Sequence, residues 1–125
     1  MEKKDLLKDV IKHIDIKSYN STELIDAMRN MSFTSRDTAR AADILMMMCK
    51  EKECTNILTL AGSTSAAGCM QVYVDMVRNK MIDVVVATGA SIIDMDLFEA
   101  LGFKHYIGEK ENVIADTTLR DLYID

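Results

Sequence analysis

A run of seven small residues, GSTSAAG at positions 62–68, is the part of the sequence best suited to hold a ligand. Small side chains let the backbone approach a bound group closely, and its N–H groups, with the positive end of a following helix, form a site suited to phosphate. The hydroxyls of Ser63, Thr64 and Ser65 can donate hydrogen bonds to the same oxygens. The run contains neither G-x-G-x-x-G nor a Walker lysine, so a tight strand-to-helix turn explains it equally well.

A second small run, TGAS at positions 88–91, precedes two acids, Asp94 and Asp96. Acids near the start of a helix usually complement the helix dipole, although a carboxylate beside a ligand site can also bind an amine. Their spacing does not decide between these roles. The two histidines, His13 and His105, have no acid or nucleophile beside them in the sequence, so we expect structural or surface roles for both.

The composition is that of one globular domain over residues 1–125, with 49% apolar and 28% charged residues. The net charge of −5 argues against nucleic acid as a partner. No apolar run reaches the roughly 18 residues of a membrane span, and the N-terminal MEKKDLLKDV lacks an apolar signal core, which indicates the cytoplasm. Three cysteines without a partner pair or a histidine cluster indicate buried thiols and no metal site.

Apolar periodicity predicts a helical segment over residues 1–52. Ser21 is the expected N-cap of its second helix, and Thr34 and Asp37 form a weak capping box at the start of its third. The apolar faces are Leu6, Leu7, Val10, Ile11 and Ile14 in the first helix, Leu24, Ile25, Met28 and Met31 in the second, and Ala41, Ile44, Leu45 and Met48 in the third.

Residues 53–125 have the alternating pattern of an α/β protein. Continuous apolar runs predict buried strands, and the segments between them have helical spacing. The expected strands are residues 56–61, 83–87 and 104–107, and the expected helices are residues 66–80, 94–101 (closed by Gly102) and 117–123. Both small runs then follow the carboxyl ends of parallel strands, where ligands bind in such sheets.

Several runs, in the right order along the chain, resemble deoxyhypusine synthase, most closely its archaeal form. They are SFTSRDTARAADIL, LAGSTSAAG, MIDVVVATGASIIDMDLFEALGFKHYIGEK and TLRDLYID, and the resemblance extends from about Ile16 onward. It implies a Rossmann-like three-layer parallel sheet related to the NAD-binding domain of sirtuins, here incomplete and preceded by a helical segment. It also implies a homotetramer that uses NAD to dehydrogenate spermidine and transfers the aminobutyl group to a lysine of translation initiation factor 5A.

The resemblance also implies roles for single residues in the two small runs and after them. The residues that it implies for NAD binding are Gly62, Ser63, Thr64, Ser65, Ala66, Thr88, Gly89 and Ala90. Asp94 lies near an acidic pair that contacts cofactor and spermidine in the family, so Asp94 and Asp96 are the expected substrate-binding residues. Met95 occupies the second acidic position of that pair, which is a departure from the family's pattern.

The catalytic lysine of the family, which forms an imine with the aminobutyl group, has no match in this sequence. None of Lys80, Lys104 and Lys110 lies in the matching motif, so the sequence resembles the amino-terminal part of the enzyme and no catalytic residue is assigned. A parallel sheet with open edges and faces needs partners. We therefore expect a homo-oligomer or a complementing C-terminal polypeptide, and no aminobutyl transfer by the chain alone.

Two other hypotheses stay open at this point. The chain could be a truncated, inactive paralogue that joins a full-length synthase and regulates it. It could also be a generic nucleotide-binding, Rossmann-like domain with unrelated chemistry. Binding of NAD is compatible with all three, so dependence on spermidine is the better discriminating observation.

Overall fold

Helices and two short parallel strands make up the fold, in a computed structural model that describes residues 2–108 and 114–124. The helices are α1 (Lys3–Leu6), α2 (Thr22–Met28), α3 (Phe33–Lys50), α4 (Met70–Arg78), α5 (Gly89–Ser91), α6 (Phe98–Ala100) and α7 (Asp116–Asp121). The strands are β1 (Ile57–Leu60) and β2 (Val84–Ala87). A 3-10 turn spans Ile16–Ser18, and π-helical turns span Ser65–Cys69 and Ile92–Leu97.

The chain is extended after α1, where the apolar pattern predicts a longer helix. Residues 8–14 run antiparallel to residues 105–107, with a bridge between Val10 and Tyr106. The predicted helix over residues 6–14 is therefore wrong beyond α1. The β-branched residues of this segment suit an extended backbone, and the pairing satisfies backbone groups that a helix would have paired internally. The expectation of a third parallel strand at residues 104–107 is also wrong, because these residues pair with the N-terminal segment instead.

Helices α2 and α3 confirm the two other predicted N-terminal helices, but their starts differ from the prediction. Ser21 occupies the N-cap position of α2 without a side-chain bond, and the Asn20 side chain accepts the hydrogen bond from Thr22 N instead, at 3.0 Å. The N-cap of α3 is Ser32, so the predicted capping box is absent and Thr34 lies within the first turn. Neighbouring polar side chains thus compete for the same cap positions.

The buried side of α3 is not the predicted apolar face. Ala39 is buried, while the predicted core residues Ala41, Ile44 and Leu45 are exposed and only Met48 is half-buried. The larger apolar side chains of α3 consequently have no cover from the part of the chain that the structure describes.

The parallel sheet confirms the two predicted strands and the α/β class, but the predicted burial of both strands is wrong, because most of their residues are exposed. Ile57 pairs with Val84 and Leu60 with Ala87, so both strands end at the same edge. The sheet of the described residues has these two strands. A Rossmann-like three-layer sheet would need further strands, and it therefore stays an expectation from the resemblance.

Gly68 divides the helical connection between β1 and β2 into a π-helical turn and α4. Its φ of +97° is in the left-handed region, which breaks the helix at this point. A Cβ here would lie 3.2 Å from the carbonyl oxygen of Lys12, and the Gly68 carbonyl accepts a hydrogen bond from Ile14 N at 2.9 Å. The close approach at this glycine is therefore to the N-terminal segment.

The second crossover is a helical run over residues 89–100, made of α5, a π-helical turn and α6. The predicted helix begins earlier than expected, because the residues of TGAS after Thr88 are already helical. It ends at Gly102, whose φ of +98° is that of the predicted C-cap glycine. Near the C-terminus, α7 confirms the expected last helix to within a few residues.

Few apolar side chains are covered in this fold. Among the residues that the structure describes, the buried apolar ones are Ala39 and Met95, whereas the valines of β2 are exposed, Val86 to 56%. The cysteines are free, with Cys49 exposed and the other two half-buried, so the expectation of buried thiols is wrong for Cys49. In the described ranges, no helix is long and apolar enough to cross a membrane.

Candidate functional site

The two small runs lie side by side at the carboxyl edge of the sheet. Leu60 and Ala87 are paired at the ends of their strands, and Thr88 N donates to the Leu60 carbonyl at 3.2 Å. The chain leaves both strands at this point, and the two π-helical turns contact each other. The expectation that both loops share this edge is confirmed.

Ser91 joins the two loops directly. Its side chain is fully buried, and its Oγ donates to the carbonyl oxygen of Gly62 at 2.9 Å. Thr88 Oγ1 lies 3.4 Å from the same hydroxyl. Sequence reasoning included Ser91 only as a turn residue. A serine among glycine and alanine was the available signal, but its partner lies 29 positions away.

Six backbone amides of the two loops have no hydrogen-bond acceptor in the part of the chain that the structure describes. Within residues 2–108 and 114–124, the amides of residues 63–66 and of Gly89 and Ala90 donate to no acceptor. Unpaired N–H groups at the start of a helical segment carry partial positive charge and bind anions. This arrangement suits a phosphate or pyrophosphate group.

The hydroxyls of the first loop also include unsatisfied groups. Ser63 is exposed, whereas Thr64 Oγ1 and Ser65 Oγ are buried without a hydrogen-bond partner among the described residues. An unsatisfied buried polar atom costs about 1–3 kcal/mol. Ser65 is only 1% exposed, so its side chain does not face solvent. Ala66 beside it is half-buried.

Two glycines leave open space in front of the loops. A Cβ added to Gly62 or Gly89 would meet no atom within 4 Å. Gly62 also has φ +75°, which a side chain would strain, whereas Gly89 has an ordinary helical backbone. The residues present thus combine local open space with hydrogen-bond donors, which is compatible with a phosphate-bearing ligand.

Asp94 and Asp96 both lie in the second π-helical turn. Asp94 is exposed, and Asp96 is half-buried with an Oδ1 that has no partner in the described part of the chain. Met95 between them is buried. Because the helical run already begins at Gly89, the helix dipole does not explain a buried carboxylate at Asp96. A π-helical turn within an α-helix often marks a functional site.

A cluster of three titratable side chains lies at the end of the same helical run. Glu99 is bonded through Oε2 to His13 Nε2 at 2.6 Å and through Oε1 to His105 Nδ1 at 2.7 Å. Burial raises the pKa of Glu99, but the hydrogen bonds from His105 and His13 lower it by more, so the pKa lies below the ordinary value. Sequence reasoning missed this cluster, since His13 was expected on a helix and lies 86 positions from Glu99.

A sequence model of the deoxyhypusine synthase family matches residues 23–125. A deoxyhypusine synthase-like protein of Caulobacter vibrioides is 61% identical over 99% of this chain and 33% of its own length. A protein of the same description from Coxiella burnetii is 55% identical over 98% of this chain and 34% of its own length. A probable deoxyhypusine synthase 2 of Methanosarcina acetivorans is 39% identical over 76% of this chain and 27% of its own length.

No solved structure matches the chain. The chain spans about a third of the length of the first two relatives, and nearly all of it takes part in each alignment. The family's sequence model covers both small runs, the acidic turn and the last helix. The chain therefore belongs to the deoxyhypusine synthase family.

Proposed function

We propose that this chain is the NAD-binding part of a deoxyhypusine synthase, which transfers the aminobutyl group of spermidine to a lysine of translation initiation factor 5A. The observation that carries the proposal is the set of six amides without an acceptor, among the described residues, on two adjacent loops. Family membership supplies the reaction, and the amides supply a physical reason for a phosphate-bearing cofactor. The Rossmann-like sheet would be completed by strands beyond the matched third of the family's length.

The chain's own residues would hold the cofactor through main chain and hydroxyls. The amides of residues 63–66, Gly89 and Ala90 would donate to the phosphates, with Thr88 and Ser63 at the exposed rim. Gly62 would leave the room that the cofactor occupies. When bound, NAD supplies the hydride acceptor for the oxidation of spermidine.

The acids of the second π-helical turn would bind the polyamine. The amines of spermidine are cationic at neutral pH, and a carboxylate partly removed from water attracts them more strongly than an exposed one. Asp96, with its unpartnered buried oxygen, is the stronger candidate, and Asp94 would contribute from the exposed side.

The transfer step needs an amine nucleophile with a lowered pKa. No lysine of this chain matches the family's motif, so that residue would come from another segment or polypeptide. That segment or polypeptide could pack on the exposed valines of β2 and on the exposed apolar residues of α3. A second copy of the chain in a homo-oligomer could use the same surface.

Calorimetric titration of the chain with NAD, with and without spermidine, tests the proposal. We expect NAD to bind, and spermidine to bind more weakly to Asp96→Asn than to the exposed control Asp37→Asn. Absence of NAD binding, both alone and with a polypeptide carrying the lysine motif, would contradict the proposal. Formation of deoxyhypusine by the isolated chain would contradict the missing nucleophile.

A regulatory subunit is the second candidate function. The extent of exposed apolar surface favours association with a full-length synthase, since a monomer rarely leaves so much uncovered. Co-purification of the chain with a complete synthase, together with a change in that enzyme's rate, would support this alternative. Restoration of activity by a fragment that carries only the lysine motif would favour the first candidate.

A further inference from the structure

We propose that Glu99 is a positioning residue for the candidate site. Through His13 and His105 it fixes the end of the helical run over residues 89–100, and thereby holds the π-helical turn that carries Asp96. The proposal rests on the proposed function for the identity of the ligand, but the arrangement itself is testable without any ligand.

The first element of the argument is an N-terminal strap, defined as residues 9–17. It is held by bonds to three separate regions of the fold: residues 105–107, the break at Gly68 and helix α4. The bonds are Ile107 N to Asp9 O at 2.8 Å, Ile11 N to His105 O at 2.9 Å, Ile14 N to Gly68 O at 2.9 Å and Lys17 Nζ to Asp75 Oδ1 at 2.7 Å. The strap therefore contacts the end of the first small run, at Gly68.

Glu99 connects this strap to the helical run of the second loop. Its side chain is only 10% exposed, and each carboxylate oxygen has its own imidazole partner. An ionised carboxylate has no proton to donate, so both rings must donate: His13 through Nε2–H and His105 through Nδ1–H. His13 belongs to the strap and His105 to the segment that pairs with it. One side chain thus joins three segments.

The helical run needs such an anchor because of its π-helical turn. A π-helix is rare and persists mainly where the surrounding structure holds it. The run is fixed near its start by the bond from Ser91 Oγ to Gly62 O and near its end by Glu99. The turn with Asp96 lies between these two anchors. Releasing the second anchor lets the segment relax toward α-helical spacing, which rotates Asp96 relative to the loops.

Nuclear magnetic resonance of the whole chain tests the arrangement. In the wild type, ¹⁵N shifts should show that His105 keeps a proton on Nδ1, as its contact with Glu99 requires. In Glu99→Ala the His105 ring should lose this preference. Glu99→Gln should restore part of this preference of the His105 ring. The carboxamide oxygen accepts a hydrogen bond from one ring, whereas its NH₂ requires an acceptor on the other.

Amide exchange supplies the second measurement. In Glu99→Ala we expect the strap amides of Ile11 and Ile14 to lose protection by about tenfold or more, with Thr88 N in the sheet little changed. The control is Glu53→Ala, at an exposed position. Equal losses at strap and sheet, or no loss at the strap, would overturn the proposal. If Glu99→Ala fails to fold, Glu99→Gln carries the same comparison.

Titration with NAD and spermidine separates this inference from the proposed function. If the wild type binds and Glu99→Ala binds spermidine at least about fivefold more weakly, the positioning role is supported. If both bind equally, the positioning role is refuted while the proposed function stands. If the wild type binds neither ligand, the proposed function fails, and the exchange measurement alone decides whether Glu99 holds the strap and the turn.

Discussion

The three glycines at or near the site, Gly62, Gly68 and Gly89, differ in their physical requirement for glycine. Gly62 needs its left-handed backbone, Gly68 needs both that backbone and the lack of a Cβ, and Gly89 needs neither for the fold of the chain. The sequence identified these positions as a group of small residues, because composition does not report φ or the distance to a distant carbonyl. The hydrogen bonds of Glu99 were equally hidden, since they join residues from three segments.

Gly89→Ala should separate ligand contact from folding. The added methyl meets no atom of the chain and replaces a helical glycine, so the free energy of unfolding should stay unchanged or rise by up to about 1 kcal/mol. The affinity for NAD should nevertheless fall, because the methyl enters the space in front of the free amides. Urea unfolding and calorimetric titration measure the two quantities. Gly62→Val is a less clean test, since its φ of +75° strains any side chain.

Glu99 should make stability depend on acid pH. Its folded pKa lies below the ordinary 4.5, so its ionised form is favoured in the folded state. The resulting stabilisation is complete above the unfolded pKa and is lost as pH falls through the lower folded pKa. Urea unfolding from about pH 7 to about pH 3 should therefore show a decline below 4.5 that is smaller in Glu99→Gln. Identical curves for the two proteins would contradict this.

At the scale of elements, apolar periodicity predicted what depends on local pattern. Helices α2 and α3, the two strands and the shared edge of the loops follow from it. It failed after α1, where pairing with residues 105–107 supplies the backbone bonds that a helix would have made. It also misplaced the buried side of α3, where Ala39 is buried and the larger apolar residues Ile44 and Leu45 are exposed. Tertiary partners decide both cases, and a single sequence does not name them.

Gly68→Ala should detach the strap from the turn. The substitution combines left-handed strain with a Cβ 3.2 Å from the Lys12 carbonyl, so we expect a loss of about 1–3 kcal/mol in the free energy of unfolding. Gly102→Ala is the matched control, because its φ is nearly the same and its Cβ meets nothing within 4 Å. The difference between the two variants in urea unfolding isolates the close contact. Equal losses would mean that backbone strain explains both.

At the scale of the whole molecule, the covered core is small for the apolar content of the chain. The valines of β2 and the outer side of α3 remain exposed. Surfaces of this kind on a folded chain are consistent with the association that we propose. The sequence anticipated this from unsatisfied sheet edges, but the faces that need cover became identifiable only with the packing of α3.

Val86→Lys should weaken association while leaving the chain folded. Val86 is 56% exposed, so a lysine there removes little internal packing and should change stability by less than about 1 kcal/mol. Light scattering at micromolar concentration should find the wild type associated and the variant less so, with Thr55→Lys at another exposed position as the control. A monodisperse monomer for the wild type would count against association.

The buried bond between Ser91 and Gly62 has a consequence for thermodynamics. This hydrogen bond couples the two loops, so a ligand that orders the first loop also orders the second. The second loop then loses little further conformational entropy when the ligand contacts it. Calorimetric titration with the ligand should therefore show one binding transition. Ser91→Ala removes the hydroxyl, so the calorimetric titration should show more than one transition. The entropy of binding should also become less favourable.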